Sequence, residues 1–265
     1  MNDESMKEKT MPQHPFSRIA IVTGATSGIG EATARRLIAS GFAVVGNGRN
    51  AAKLDLLSHE LAPAFHGVPG DIADGSVQDE LFDRAAQRFG MEASAVVVNA
   101  GRGLGGPVSS ADLEQLEAVI RVNLLGALAV MQKAAQRMLA GLAQRPFPDY
   151  AADIVVIGSV VGRNVSPFSA VYGATKFAIH SLAEGLRREV GPKGVRVTLV
   201  EPGTVLSGFQ KGAGYSADQV SRFHENFGPL LIGEDVARAI DFVLAQPPHI
   251  NISDIVLRPT RQDYP

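Results

Sequence analysis

The sequence predicts an α/β domain built on a doubly wound parallel sheet of about seven strands, with helices on both faces. Three observations carry this prediction. Short runs rich in β-branched residues alternate with longer segments of helical periodicity. Several runs, among them Ala95-Val-Val-Val98 and Ile154-Val-Val-Ile157, are apolar throughout, as strands covered on both faces are. The first run passes through a glycine-rich turn directly into a helical pattern.

Taken in order, the apolar run Arg18-Ile-Ala-Ile-Val-Thr23 gives a strand over 18–23. Gly24, Gly28 and Gly30 follow where strand must become helix, and the helix runs over 28–40. A second strand at 43–48 precedes a helix at 50–61, and a third at 64–69 precedes one at 75–89. The fourth strand, 94–98, leads to the longest helical pattern, 112–140. Residues 141–151 hold two prolines and read as an exposed loop before the strand at 152–158. A helix at 170–190 and a strand at 194–200 come next, and a helix at 233–246 and a last strand at 252–258 close the pattern. Between them, 203–231 reads as a long loop. Such loops in compact domains are functional or mobile, and this one starts at a strand's carboxyl end, where open parallel sheets bind ligands.

Composition narrows the function. With 25 basic and 27 acidic residues the chain has no electrostatic bias toward nucleic acid or an anionic membrane. It has no cysteine, so disulfides, thiolate metal sites and cysteine nucleophiles are excluded. Its six histidines show no ligand-like spacing, and no metal is expected. Residues 1–17 are polar, without the apolar block of a secretory signal, and are expected to be a flexible extension ahead of one domain over 18–265. No later stretch is apolar and uncharged for a membrane span, so the expectation is a cytoplasmic protein.

A strand, a glycine turn and a helix together suggest an anion site, because a helix N-terminus offers free amides and the positive end of its dipole. No Gly-Lys-Ser/Thr follows, which excludes a P-loop. An ordinary tight turn remains the alternative for the glycines alone. Further along, Tyr172 and Lys176 are four residues apart and share a helix face. A nearby ammonium lowers a phenol's pKa and readies it for proton transfer. Alone, the pair also fits an exposed amphipathic helix.

The spacing Thr23-Gly-x-x-x-Gly-x-Gly30 resembles the short-chain dehydrogenase/reductase family. So do Asn99-Ala-Gly101 after the fourth strand, with Val98 where the family often has another Asn, and Asn123 on the next helix. Ser159, Tyr172-Gly-Ala-Thr-Lys176 thirteen residues on, and Pro202-Gly203 complete an ordered set across 18–258. The resemblance implies a Rossmann-type domain that binds NADP(H) and interconverts a carbonyl and an alcohol. It implies that Tyr172 exchanges the proton, Ser159 orients the substrate oxygen, Lys176 binds the nicotinamide ribose and lowers the tyrosine's pKa, and Asn123 holds a relay water. A local capping role for Asn123 is the alternative.

The resemblance also implies a cofactor site. Gly24, Thr26, Ser27, Gly28, Ile29 and Gly30 would form its phosphate turn. Gly48 stands where NAD-preferring relatives carry Asp, and Arg49 follows as in NADP-preferring ones, with Asn50 beside it. Asp71 would accept a hydrogen bond from the adenine amine, or serve as a turn residue, or both; Ile72 beside it and Asn99, Ala100 and Gly101 would also meet the cofactor. Beyond Pro202 and Gly203, the Val205 backbone would face the carboxamide, while Ser207 stands where the family has Thr.

Substrate choice is less legible. Val161, Arg163, Ser166, Phe168 and Phe209 fall at pocket positions, with Arg102 near the rim. Arg163 could bind a substrate carboxylate, or be solvated or paired. The tail from His249 to Gln262 resembles NADP-dependent 3-hydroxy acid and serine dehydrogenases. The alternatives to a general carbonyl reductase are therefore a 3-hydroxy acid dehydrogenase and a non-catalytic NADP(H) sensor. The family's habit implies a homodimer or homotetramer, with Leu124–Val130 as either a subunit contact or intramolecular core.

Overall fold

The computed structural model describes residues 15–167 and 169–264. Its main sheet contains β1 (Arg18–Val22), β2 (Phe42–Gly48), β3 (Phe65–Pro69), β4 (Ala95–Val98), β5 (Ala152–Ile157), β6 (Val195–Pro202) and β9 (Asp254–Leu257). All seven run parallel in the order β3-β2-β1-β4-β5-β6-β9. The connecting helices are α1 (Gly28–Ala39), α2 (Ala51–Glu60), α3 (Gly75–Phe89), α4 (Leu113–Ile120), α5 (Ala127–Leu142), α6 (Ala170–Val190) and α9 (Gly233–Leu244).

Strand alternation divides the apolar side chains between two layers. Ile19 and Ile21 face one core with Leu81 of α3, Met131 of α5 and Ile179 of α6. Ala20 and Val22 face the other with Leu37 of α1, Leu54 of α2 and Ile240 of α9. Phe16 packs on the first core, its ring 5.6 Å from that of Phe89.

Two sequence expectations need correction. The helix read over 112–140 is a continuous run, but a π-helical segment, Arg121–Gly126, separates α4 from α5. The wider turn turns Asn123 inward, where its side chain accepts from the Arg102 N–H and donates to the Arg102 carbonyl, both at 2.8 Å. By length and composition this run is apolar enough to cross a membrane. Here Val130, Met131, Ala134 and Met138 are buried in the core, and Lys133 and Arg137 pair with Asp79 and Asp83 of α3.

The second correction concerns 203–231, which is structured rather than a bare loop. It contains β7 (Val205–Leu206), a short α7 (Phe209–Gly212), α8 (Ala217–Phe227) and β8 (Leu231–Ile232), with β7 and β8 paired in parallel. A capping box starts α8: the Gln219 N–H donates to the Ser216 hydroxyl, and the Ser216 N–H to the Gln219 side chain.

At the amino end of the sheet, Asp153 is buried and bridged by two arginines. Arg196 donates to it from the neighbouring strand at 2.6 and 3.0 Å, and Arg18 reaches across β4 at 2.6 Å. Removing the carboxylate leaves two guanidiniums without their anion. Asp153→Ala should lower unfolding stability by about 3–5 kcal/mol in urea titrations.

Candidate active site

A cleft of about 890 Å³ opens where the carboxyl ends of β1 and β4 part. This is the place where the strand order reverses, and helices leave in opposite directions. Its floor is built by hydrogen bonds between the two strand ends. The Thr23 hydroxyl accepts from the N–H groups of Asn99 and Ala100 at 2.9 and 3.0 Å, and the Asn99 amide donates to the Thr23 carbonyl at 2.9 Å.

Gly24 and Gly28 have positive φ, +69° and +54°, which side chains disfavour. Gly30 meets a different limit: a Cβ there would lie 2.1 Å from the Gly24 carbonyl oxygen and 2.6 Å from the Asn99 amide nitrogen. Gly24, Thr26, Ser27, Gly28 and Ile29 line the cleft, whereas Gly30 is packed beneath it. The cradle so formed, at the start of a twelve-residue helix, fits a pyrophosphate.

At the end of β2, Gly48 has its missing side chain's space filled by Thr26, whose methyl carbon would be 2.5 Å from a Cβ. Arg49 beside it lines the cleft, exposed, with no ion pair among the described residues. Asn50 does not line the cleft; it caps α2, accepting from the Lys53 N–H at 3.0 Å. Asn47, not foreseen, lines the wall and donates to the carbonyls of Val68 and Gly70. Asp71 and Ile72 lie nearby, Asp71 accepting from the Ala73 N–H at 2.9 Å.

Ser159 follows β5, and α6 carries Tyr172 and Lys176 on one face. The Tyr172 phenol and the Ser159 hydroxyl face the same cleft. The Lys176 ammonium lies 5.7 Å from the Tyr172 ring and donates to the Ile157 carbonyl at 2.7 Å. Here the expected electrostatics need revision. Burial pushes the Tyr172 phenol up from its ordinary value, the nearby Ser159 hydroxyl only partly opposing it. Lys176, itself pushed down to about 8 by burial, does not offset this. Asn123 stands behind the cleft wall, tied to Arg102 and, at 3.3 Å, to the Thr175 hydroxyl.

On the far wall, Ala100, Gly101, Pro202, Gly203, Val205 and Ser207 line the cleft. The Val205 carbonyl accepts from the Gln210 side chain at 2.6 Å, and the Ser207 hydroxyl from the Phe209 N–H at 3.2 Å. Val161, Ser166, Arg102 and Phe209 also face it, the Phe209 ring 5.4 Å from that of Tyr172. Phe168 lies outside the described residues. Arg163 is not a pocket residue: its guanidinium clamps the buried Glu201 carboxylate at 2.5 and 2.6 Å. A substrate would have to compete with an internal bidentate anion for it.

Sequence reasoning missed a whole wall of the cleft. Gln219, Arg222, Phe223 and Asn226 face it from α8, and Gln262 and Tyr264 from the chain end. The capping pattern Ser216-x-x-Gln219 and the three- and four-residue spacings were visible signals of that helix. Gly30→Ala should weaken binding of a nicotinamide dinucleotide by at least about tenfold, read by fluorescence titration, because the added methyl meets backbone that cannot turn aside.

The model of the short chain dehydrogenase family matches residues 18–216. An uncharacterized oxidoreductase of Staphylococcus epidermidis is 31% identical over 242 residues, covering 91% of this chain and 97% of its own. A serine dehydrogenase solved in a closed form with NADP+ is 30% identical with a TM-score of 0.81, covering 93% of this chain and 96% of that one. A 3-ketoacyl-(acyl-carrier-protein) reductase from Brucella melitensis, solved with NADH, shares the fold at a TM-score of 0.84 and 24% identity, over 93% and 98% of the two chains.

Proposed function

The chain belongs to the short-chain dehydrogenase family of oxidoreductases, and from that premise we propose that it interconverts a ketone or aldehyde and an alcohol with NADP(H). One observation carries the reading: the hydroxyls of Ser159 and Tyr172, with Lys176 one turn on, line the same cleft as the glycine cradle. When bound there, the dinucleotide supplies or accepts the hydride.

The protein's own groups handle the oxygen. Ser159 orients the substrate oxygen, and Tyr172 gives it a proton in reduction or takes one in oxidation. Burial keeps the phenol protonated, the form a carbonyl reduction needs. Lys176, whose ammonium releases its proton near pH 8, holds the ribose and lies beside the phenol ring. Asn123, fixed by the π-helical turn, holds a relay water behind them.

The preference for NADP(H) rests on Arg49, exposed at the cleft beside a Gly48 that leaves no room for an acid. The reading includes self-association through the exposed Leu125 and Leu128, whereas Ala127 and Val130 of the same stretch are buried. A second reading, a 3-hydroxy acid dehydrogenase, is favoured by the likeness to serine dehydrogenase. With Arg163 engaged, the carboxylate would fall to Arg102 or Arg222, both on the cleft wall.

NADPH consumption across a panel of ketones, diketones and 3-oxo acids tests the proposal. At least one carbonyl should accelerate it, and Tyr172→Phe should slow that rate by about 100-fold or more with NADPH affinity little changed. Arg49→Gln should raise the Kd for NADPH about tenfold and leave NADH unaffected. A preference of the wild type for NADH would overturn the assignment of Arg49.

A further inference from the structure

Behind the serine lies a buried array that the chemistry above does not use. His180 stands one turn after Lys176 on α6, its side chain 13% exposed. The Ser159 backbone N–H donates to its Nε2 at 3.3 Å. A ring nitrogen that accepts carries no proton, so the neutral imidazole must hold its proton on Nδ1. That atom lies 3.5 Å from Oε2 of Glu201. Glu201 is fully buried in β6, immediately before Pro202-Gly203, and Arg163 clamps both of its oxygens.

The ring sits in a slot that two glycines of the serine loop leave open. A Cβ on either Gly158 or Gly162 would come within 2.4 Å of the imidazole. The charged groups around it are Lys176 on its own helix, Arg163 on the turn after Ser159, and Glu201 on β6. Burial and the two cations push the imidazole down to about 4, so it is neutral at physiological pH. Space-filling alone would need neither an accepting nitrogen under Ser159 nor a buried carboxylate under the opposite edge.

We infer that His180 is a positioning residue for the reaction: seated with Nδ1 beside the Glu201–Arg163 pair, it fixes the Ser159 backbone and so aims the Ser159 hydroxyl at the substrate oxygen. The array joins the serine loop to the strand leading into the Pro202-Gly203 turn. Its kinetic consequence rests on the oxidoreductase reading; its geometry does not.

Two variants separate positioning from packing. His180→Gln keeps an acceptor for Ser159 and a donor for Glu201, whereas His180→Leu keeps only bulk. Amide hydrogen exchange read by NMR should show Ser159 exchanging at least about tenfold faster in His180→Leu and within about twofold of wild type in His180→Gln. With a carbonyl substrate, kcat should fall about tenfold or more in the leucine variant, KM and NADPH affinity staying close to wild type, and glutamine should restore most of it. Unchanged Ser159 exchange in His180→Leu, or equal kcat losses in both variants, would overturn the inference. In the wild type, nitrogen-15 shifts should show His180 protonated on Nδ1; a proton on Nε2 overturns it even where the leucine variant does not fold. If no carbonyl is turned over, the oxidoreductase reading fails, and the exchange and tautomer results still decide whether His180 holds the serine loop.

Discussion

Thr23 and Asn99 close the ends of two neighbouring strands against each other. The threonine hydroxyl takes two backbone N–H groups from the β4 end, and the asparagine amide returns a hydrogen bond to the β1 end. The strand order reverses at this point, so the chain leaves β1 and β4 in opposite directions and a cleft opens between the exits. Gly24 and Gly30 then pack so tightly that one carbon more on Gly30 would strike backbone. The position of the α1 N-terminus follows from that approach, and with it the cradle offered to a dinucleotide.

Two buried carboxylates mark the two ends of the parallel sheet. Asp153, at the start of β5, is paired with Arg18 and Arg196 and ties the amino ends of the strands together. Glu201, at the end of β6, is paired with Arg163 and faces His180 beneath the serine loop. A buried charge persists only with a well-placed partner, so each acid fixes the elements that supply its cations. The first serves stability far from the cleft. The second lies directly under the residues that would touch a substrate.

The parts of this arrangement legible in sequence are those governed by local pattern. Apolar strands such as Ala95–Val98 and the Gly24–Gly30 turn announce themselves because strand burial and tight turns restrict residue types over a few positions. The Tyr172–Lys176 pair is legible for the same reason, a fixed helical spacing. What escaped was set by partners far away. Arg163 reads as a carboxylate binder, solvated or paired until Glu201, 38 residues on, is seen to claim it. The phenol reads as acidified by its lysine until burial is seen to outweigh that effect. The π-helical turn that brings Asn123 to Arg102 is a local irregularity that periodicity cannot reveal. Only α8 carried an unread local signal, its Ser216–Gln219 capping box.

The proposed function is hydride transfer in this cleft. Its most direct test is the reaction of a ketone accepted by the wild-type protein with NADPH carrying deuterium at both C4 positions, and mass analysis of the alcohol. The account predicts one deuterium on the former carbonyl carbon, and none from deuterated solvent at that carbon when unlabelled NADPH is used. An alcohol free of cofactor deuterium, or NADPH bound without any carbonyl being reduced, would contradict it.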